Sequence, residues 1–440
     1  MLAVKARFLV VSADVVYENH GLIIENGWVQ KILPNEAIDQ EITAMGQCSI
    51  VDAADQIVFP GFINAHMHQY GLLAHGIPAP ENISSFESFL KDYWWPRVEN
   101  RIRIPEVIAT TYASAAEMIR SGTTGFCDTL EAPFAGAGVL REQALAVEKI
   151  GLRAILSLES CERLSPENGR DCLEENASLI RWANHNSCLV EGTLCTHTTF
   201  TCSADFLAAA KTMADGLSAR WQFHLSESRY EPDYCLQHFG KTPVEYYNDL
   251  GLLSSSLIAS QCVQVNKTEQ TILAKTGASA VHMPLSNCEV GGGIAPVPQM
   301  LAAGMTVGLG SDGYINDFFE VMRGAFLIHK ANRQDPQIMP ARQVFRMATE
   351  LGAKALGWDK AGTLHPGQWA DFVVMKQQFP TPVTRENIMD QIVIFGRKEY
   401  IDSVFANGMP LMLKGVLETF DEERALAEMR QTAFHFWEGL

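Results

Sequence analysis

From residue 57 to about residue 340, apolar strand-like runs alternate with amphipathic helical stretches, and this alternation restricts the fold more than any other feature. TGFCDTL precedes the helical VLREQALAVEKIG, LRAILSLE precedes CLEENASLIRWANHN, and RWQFHLS precedes TPVEYYNDLGLL. LVEGTLCTHTTF, SLIASQCVQV, ASAVHMPLS and TVGLGSD each lead into a helical stretch in the same way. With the opening run IVFPGFINAHMH, that makes eight candidate strands. Strands separated by helices imply a parallel sheet, and eight repeats predict an α/β fold with a (β/α)8 TIM-like barrel. An open, doubly wound sheet is the alternative. No GxGxxG follows any strand, so a dinucleotide site is not indicated.

The chain ends differ from this middle. Residues 1–57 contain LAVKARFLVV, HGLIIENGWVQKIL and CSIVDA, short β-rich runs separated by polar or Asn-Gly turns. Residues 359–440 return to β character in AGTLHPGQWADFVVMK and YIDSVFANGMPLMLKGVL before a helix over 421–437. The simplest arrangement joins both ends into one small β-sandwich beside a barrel spanning 58–358. Within the barrel, helices are expected over 84–95 and 341–358, and over 105–121 with Pro105 in its first turn.

Hydrophobic residues make up 47% of the chain and charged ones 19%, enough for a large core. The net charge of −17 argues against nucleic acid or an anionic membrane as partner. No run reaches the roughly 18 apolar residues of a membrane span, and no small-residue cleavage site follows the N-terminal apolar stretch. The ten cysteines form no CxxC pair, which fits a reducing compartment. A soluble, cytoplasmic protein is expected.

Barrel enzymes place their chemistry at the C-terminal ends of strands. Those ends here carry His66 and His68 on the first strand, His197 on the fourth, His224 on the fifth, Gln261 on the sixth, His282 on the seventh and Asp312 on the eighth. His66 and His68, one residue apart, point to the same face of an extended strand. Three histidines and a carboxylate (His66, His68, His224 and Asp312) can hold a divalent ion and leave a position for water. Such an ion lowers the pKa of its water from about 15.7 to about 7. Taken alone, Asp312 in GLGSDG reads as a helix N-cap; beside the histidines it reads as a ligand. Glu227 follows His224 in HLSE and reaches the site only if the strand stops and the loop curls back. There it can shuttle a proton; otherwise it is a solvated loop residue. His75 lies in the first loop and reads either as part of the common site or as a scattered histidine.

In order along the chain, PGFINAHMH, CTHTTFTCS, HLSE, HMPLSN, GLGSDG and AGTLHPGQWADFVV resemble the amidohydrolase superfamily. The resemblance is to the branch of triazine hydrolases, S-adenosylhomocysteine/methylthioadenosine deaminases and guanine deaminases. It implies a barrel with a sandwich from both termini and one divalent metal, zinc with iron as the alternative. It further implies ligands His66, His68, His224 and Asp312, with Glu227 and Asp312 catalytic, and contacts to substrate from Gln69, His197, Gln261 and His282. A homodimer is implied only by this likeness. No lysine ends the fourth strand, so the bridging lysine of two-metal relatives has no candidate. Two departures stand out: Gln261 occupies the place of a usual histidine, and His75 that of an arginine. Gln261 can orient a water or read a substrate edge but cannot take a proton at neutral pH. The expected function is hydrolytic deamination of an aminated N-heterocycle of purine, pterin, triazine or nucleoside type. The alternatives are hydrolysis of a cyclic amide or of a halide on such a ring, and a catalytically silent metal-binding barrel.

Overall fold

The computed structural model describes residues 1–45, 48–78 and 83–438, and the eight expected strands recur there in sequence. They are Phe62–Met67, Thr123–Leu130, Arg153–Leu158, Val190–Gly192 continued by Leu194–Cys195, Trp221–Leu225, Leu257–Gln261, Ser279–His282 and Val307–Leu309. Each pairs in parallel with its neighbour, in an arc of four strands and an arc of five divided within the interrupted fourth strand. The arcs meet at single parallel bridges, Ser160 with Thr196 and Met67 with Asp312. This succession fits a TIM-type barrel. Strands such as Phe62–Met67 and Thr123–Leu130 are buried at every position, because helices cover the outside and side chains fill the inside. Ile63, Cys127, Ile155, Ile258 and Val281 point inward and pack on Trp358, so the interior below the strand ends is core rather than channel.

The chain ends hydrogen-bond into one nine-stranded sheet, in which Ser49–Pro60 pairs antiparallel with Phe372–Met375. That pairing merges the two β-rich ends, expected as a small sandwich, into a continuous sheet. Val4, Leu9, Leu22 and Val58 from one end share a core with Phe372, Val374 and Phe405 from the other. Helix Asn35–Met45 was not foreseen between the N-terminal strands. Ile38, Ile42 and Met45 stand at helical spacing, but the run between two β-rich stretches is short and reads equally as a polar connection; among its described side chains Ile38 alone is fully buried. The stretch over 84–95 is helical but broken into Phe86–Ser88, a π-helical Phe89–Trp94 and Trp95–Arg97. Helix Ile104–Arg120 carries its proline in the first turn, and Asp421 caps Glu422–Trp437. Among the described residues, no helix is long and apolar enough to cross a membrane.

Barrel and end sheet are tied by a buried ion pair. Arg153 Nε donates to Asp371 Oδ2 at 3.2 Å while its guanidinium lies 3.5 Å from the centre of the Trp369 ring. Both side chains are nearly free of solvent. Arg153→Ala leaves Asp371 buried without its counter-charge and is expected to cost about 3–5 kcal/mol. Urea unfolding checks this; an unchanged midpoint would show that the pair contributes nothing.

Candidate active site

The first strand ends in His66 and His68, and their rings reach the barrel axis with Nε2 atoms 3.2 Å apart. His224, on the fifth strand, brings its Nε2 to 3.3 Å from His68 Nε2. Asp312 Oδ1 lies 3.0 Å from His68 Nε2 and 3.9 Å from His66 Nε2. All four residues are buried. The outward nitrogens are held elsewhere: His68 Nδ1 donates to the Thr129 carbonyl at 2.7 Å, and His66 Nδ1 is hydrogen-bonded to Ser260 Oγ at 2.9 Å. Such outer partners fix ring orientation and turn the Nε2 atoms inward.

Backbone geometry explains how strands so far apart in sequence converge. Gly310 sits where a Cβ would lie 2.5 Å from the His66 carbonyl oxygen, so only glycine lets the eighth strand approach the first this closely. Asp312 N then donates to His66 O at 3.2 Å and His68 N to Asp312 O at 3.3 Å. Asp312 does not cap the following helix; Asp317 does, accepting from Phe319 N. Ser226, Gln261, Cys262 and Asp312 all have positive φ. Left-handed non-glycine residues at three strand ends are the strained turns that aim side chains at a site. Ser226 turns the chain directly after the fifth strand, which brings Glu227 into the lining of the cavity. Buried Glu231 staples this turn, accepting from Ser226 N through one oxygen and from Thr199 N and Oγ1 through the other.

The donor set fits a divalent cation. Spacings of 3.0 to 3.3 Å between His68 Nε2 and its three neighbours are close to the edge of a tetrahedron with bonds of about 2.0 Å, about 3.3 Å. Burial, with His68 and His224 alongside, holds His66 well below the ordinary imidazole value, and burial lowers His224 as well. Burial also opposes charge on His68, but Glu131 and the bonded Asp312 outweigh it and push that imidazole up to about 10. Burial would raise Asp312, yet its bond to His68 holds it well below the usual carboxylate range.

Above the cluster lies a cavity of about 420 Å³. Phe86, Phe89, Tyr93, Trp94 and Tyr314 supply aromatic walls, and His68, His224, Glu227 and Asp312 reach its inner end. Burial pushes the Glu227 carboxyl well above the usual range, with Asp312 and Glu131 adding to the effect. His197, Gln261 and His75 also line the cavity. Gln261 is committed at both ends, donating through Nε2 to Asp312 Oδ2 at 2.7 Å and accepting from Asn287 Nδ2 through Oε1.

Gln69 and His282 are not brought to the cavity. The Gln69 side chain accepts from Thr111 and Gln143 behind the first strand. His282 faces outward from the seventh strand, its Nε2 3.1 Å from that of His329 on helix Phe318–Arg333. Three carboxylates without a sequence-based expectation do reach the site. Glu131 and Glu159 immediately follow the second and third strands, and Glu99 comes from the first loop. Glu131 accepts from Tyr70 OH, and its Oε1 lies 4.0 Å from His68 Nδ1. Glu159 Oε2 lies 3.8 Å from His224 Nδ1 and 3.9 Å from His197 Nε2.

Residues 57–411 match the amidohydrolase family. The chain belongs to that family. Within it, this amidohydrolase is 32% identical over 419 residues to the 5-methylthioadenosine/S-adenosylhomocysteine deaminase of Syntrophomonas wolfei, covering 94% of this chain and 93% of that one. It is 31% identical over 434 residues to the 5'-deoxyadenosine deaminase of Methanosarcina barkeri, covering 94% and 97%. Among solved structures, a zinc-bound adenosine deaminase from Xanthomonas campestris superposes with a TM-score of 0.88 at 23% identity, over 99% of this chain and 98% of that one. A zinc-bound atrazine chlorohydrolase from Arthrobacter aurescens gives 0.84 at 20% identity, over 98% and 100%. These last two likenesses establish the fold.

Proposed function

We propose that this amidohydrolase removes an amino group hydrolytically from an N-heterocycle, using one zinc ion held by His66, His68, His224 and Asp312. The observation that carries the proposal is the convergence of three imidazole Nε2 atoms and one carboxylate at the inner end of an aromatic-walled cavity. The relatives named as deaminases of adenosine derivatives support the reaction class, and the zinc in two similar structures supports the metal. When bound, a divalent ion supplies Lewis acidity and lowers the pKa of a coordinated water toward about 7.

The chain's own residues supply the rest. The aromatic walls stack on a flat ring and exclude water from its faces. The Glu227 carboxyl, raised by burial, can take a proton from water and return it to the leaving nitrogen. Gln261 and Ser286, donating to Asp312 Oδ2 at 2.7 and 2.8 Å, keep its Oδ1 toward the histidines. Gln261→Leu removes one of these donors. It is expected to lower kcat by on the order of tenfold with little change in KM. A raised KM at unchanged kcat would instead make Gln261 a substrate contact.

Screening the zinc-replete protein against aminopurines, their nucleosides, pterins and aminotriazines for ammonia release tests the proposal. At least one ring class should release ammonia stoichiometrically with loss of substrate. Chloride release from chlorotriazines alone, or no release across the panel with zinc bound, would contradict it.

A further inference from the structure

About half of the cavity's described lining comes from one segment, the loop that joins the first strand to helix Ile104–Arg120. Tyr70 stands near its start, the aromatic wall from Phe86 to Trp94 in its middle and Glu99 near its end. Polar bonds carry the wall's position inward: Trp94 Nε1 donates to Tyr70 OH at 3.2 Å, and Tyr70 OH donates to Glu131. Trp94 also stacks on Phe89, with ring centres 5.4 Å apart. The wall therefore stands where the turn Gln69–Ala74, which carries Tyr70, places it.

Helix Glu422–Trp437 reaches this loop from outside the barrel. It runs antiparallel to helix Ile104–Arg120, with Glu422 in its first turn paired to Arg120 at the far end of that helix. Its last turn touches the loop at both ends. Trp437 Nε1 donates to the Leu73 carbonyl at 2.6 Å, inside the turn that carries Tyr70. Arg101, two residues after Glu99, donates through Nη2 to the Phe436 carbonyl at 2.5 Å, and its guanidinium lies 4.6 Å from the centre of the Phe436 ring. The last carbonyls of a helix lack partners within it, and a cation is favoured there. Packing of the two helices needs buried Met429 and Phe436, but it needs neither an indole N–H aimed at a loop carbonyl nor a guanidinium returning from the loop. We infer that Trp437 and Arg101 are positioning residues for the cavity, clamping the two ends of the loop and so fixing the distance from aromatic wall to inner end. Neither side chain lines the cavity, so each acts on a ligand only through the wall. A displaced wall loses its grip on a flat ring, whereas the histidines and Glu227 stand at or just after barrel strands and keep their places. The effect therefore belongs in KM rather than in kcat.

Two variants test the clamp in the zinc-replete protein. Trp437→Phe keeps an aromatic ring and removes the N–H, and Arg101→Met keeps the stem and removes the charge. In each, KM for adenosine should rise about tenfold with kcat held within about twofold. Arg101→Lys, which restores a cationic donor without the planar fork, should recover part of the loss. Hydrogen exchange read by mass spectrometry should quicken over residues 69–78 and 86–101 while the barrel strands stay as protected as in the parent. Zinc content should equal that of the parent. Arg153→Ala, which loosens the barrel at its junction with the end sheet, controls for general loss of stability and should leave KM and loop exchange at parent values. An equal rise of KM in that control, faster exchange throughout the barrel in Trp437→Phe, or unchanged KM and loop exchange in both clamp variants would overturn the assignment. Only the kinetic arm rests on the deamination reading above. If adenosine releases no ammonia, that reading fails for this substrate, and the exchange pattern alone still decides the clamp.

Discussion

Glu227→Gln is expected to retain its zinc and lose about 10²-fold or more in turnover. The carboxyl lines the cavity, brought there by the left-handed turn at Ser226. Burial and the neighbouring Asp312 and Glu131 raise its proton affinity, which favours a carboxyl that can take up a proton and pass it on. Glutamine keeps shape and hydrogen bonding but cannot ionise, which isolates proton transfer from packing. KM should change much less than kcat. Metal content measured on the same preparation separates loss of the shuttle from loss of the ion. Unchanged turnover would return Glu227 to the status of a loop residue that happens to face the cavity.

His66→Ala is expected to strip the site of metal. The imidazole is almost wholly buried, bonded to Ser260 on one side and facing His68 on the other, so no neighbouring side chain can take its place. Loss of even an outer hydrogen-bond partner of a metal ligand costs about 10–100-fold in affinity, and loss of the ligand itself should exceed that. Elemental analysis after dialysis should find the variant nearly metal-free, and added zinc should raise the unfolding temperature of the parent protein but not of the variant. Equal zinc content in both proteins would falsify the proposed ligand set.

What the sequence revealed of this site follows from what a strand end can advertise. The convergence of His66, His68, His224 and Asp312 was legible because imidazole and carboxylate at several strand ends of a barrel are improbable by chance, and the fold brings those ends together. Glu131 and Glu159 carry the same signal, each directly after a strand, but glutamate is so common on surfaces that its position alone points to no site. Glu99 had no such signal, since it comes from a loop whose course depends on packing. His282 fails for a different reason. It closes the short strand Ser279–His282, where facing alternates residue by residue, and its ring turns outward to His329 on a helix far along the chain. Gln69 follows the same logic: one residue after His68, it turns away from the axis that the histidine faces. The merging of the chain ends into one sheet was equally hidden, because the pairing of Ser49–Pro60 with Phe372–Met375 joins segments more than 300 residues apart.

One metal ion per chain is expected to make the His66–His68–His224–Asp312 cluster hydrolytic. Titrating zinc into metal-free protein while following ammonia release from a substrate found in the panel tests it directly. Turnover should be absent at the start, rise in proportion to zinc, and level off at about one equivalent per chain. Full turnover without metal, or a rise that continues to two equivalents, would contradict it.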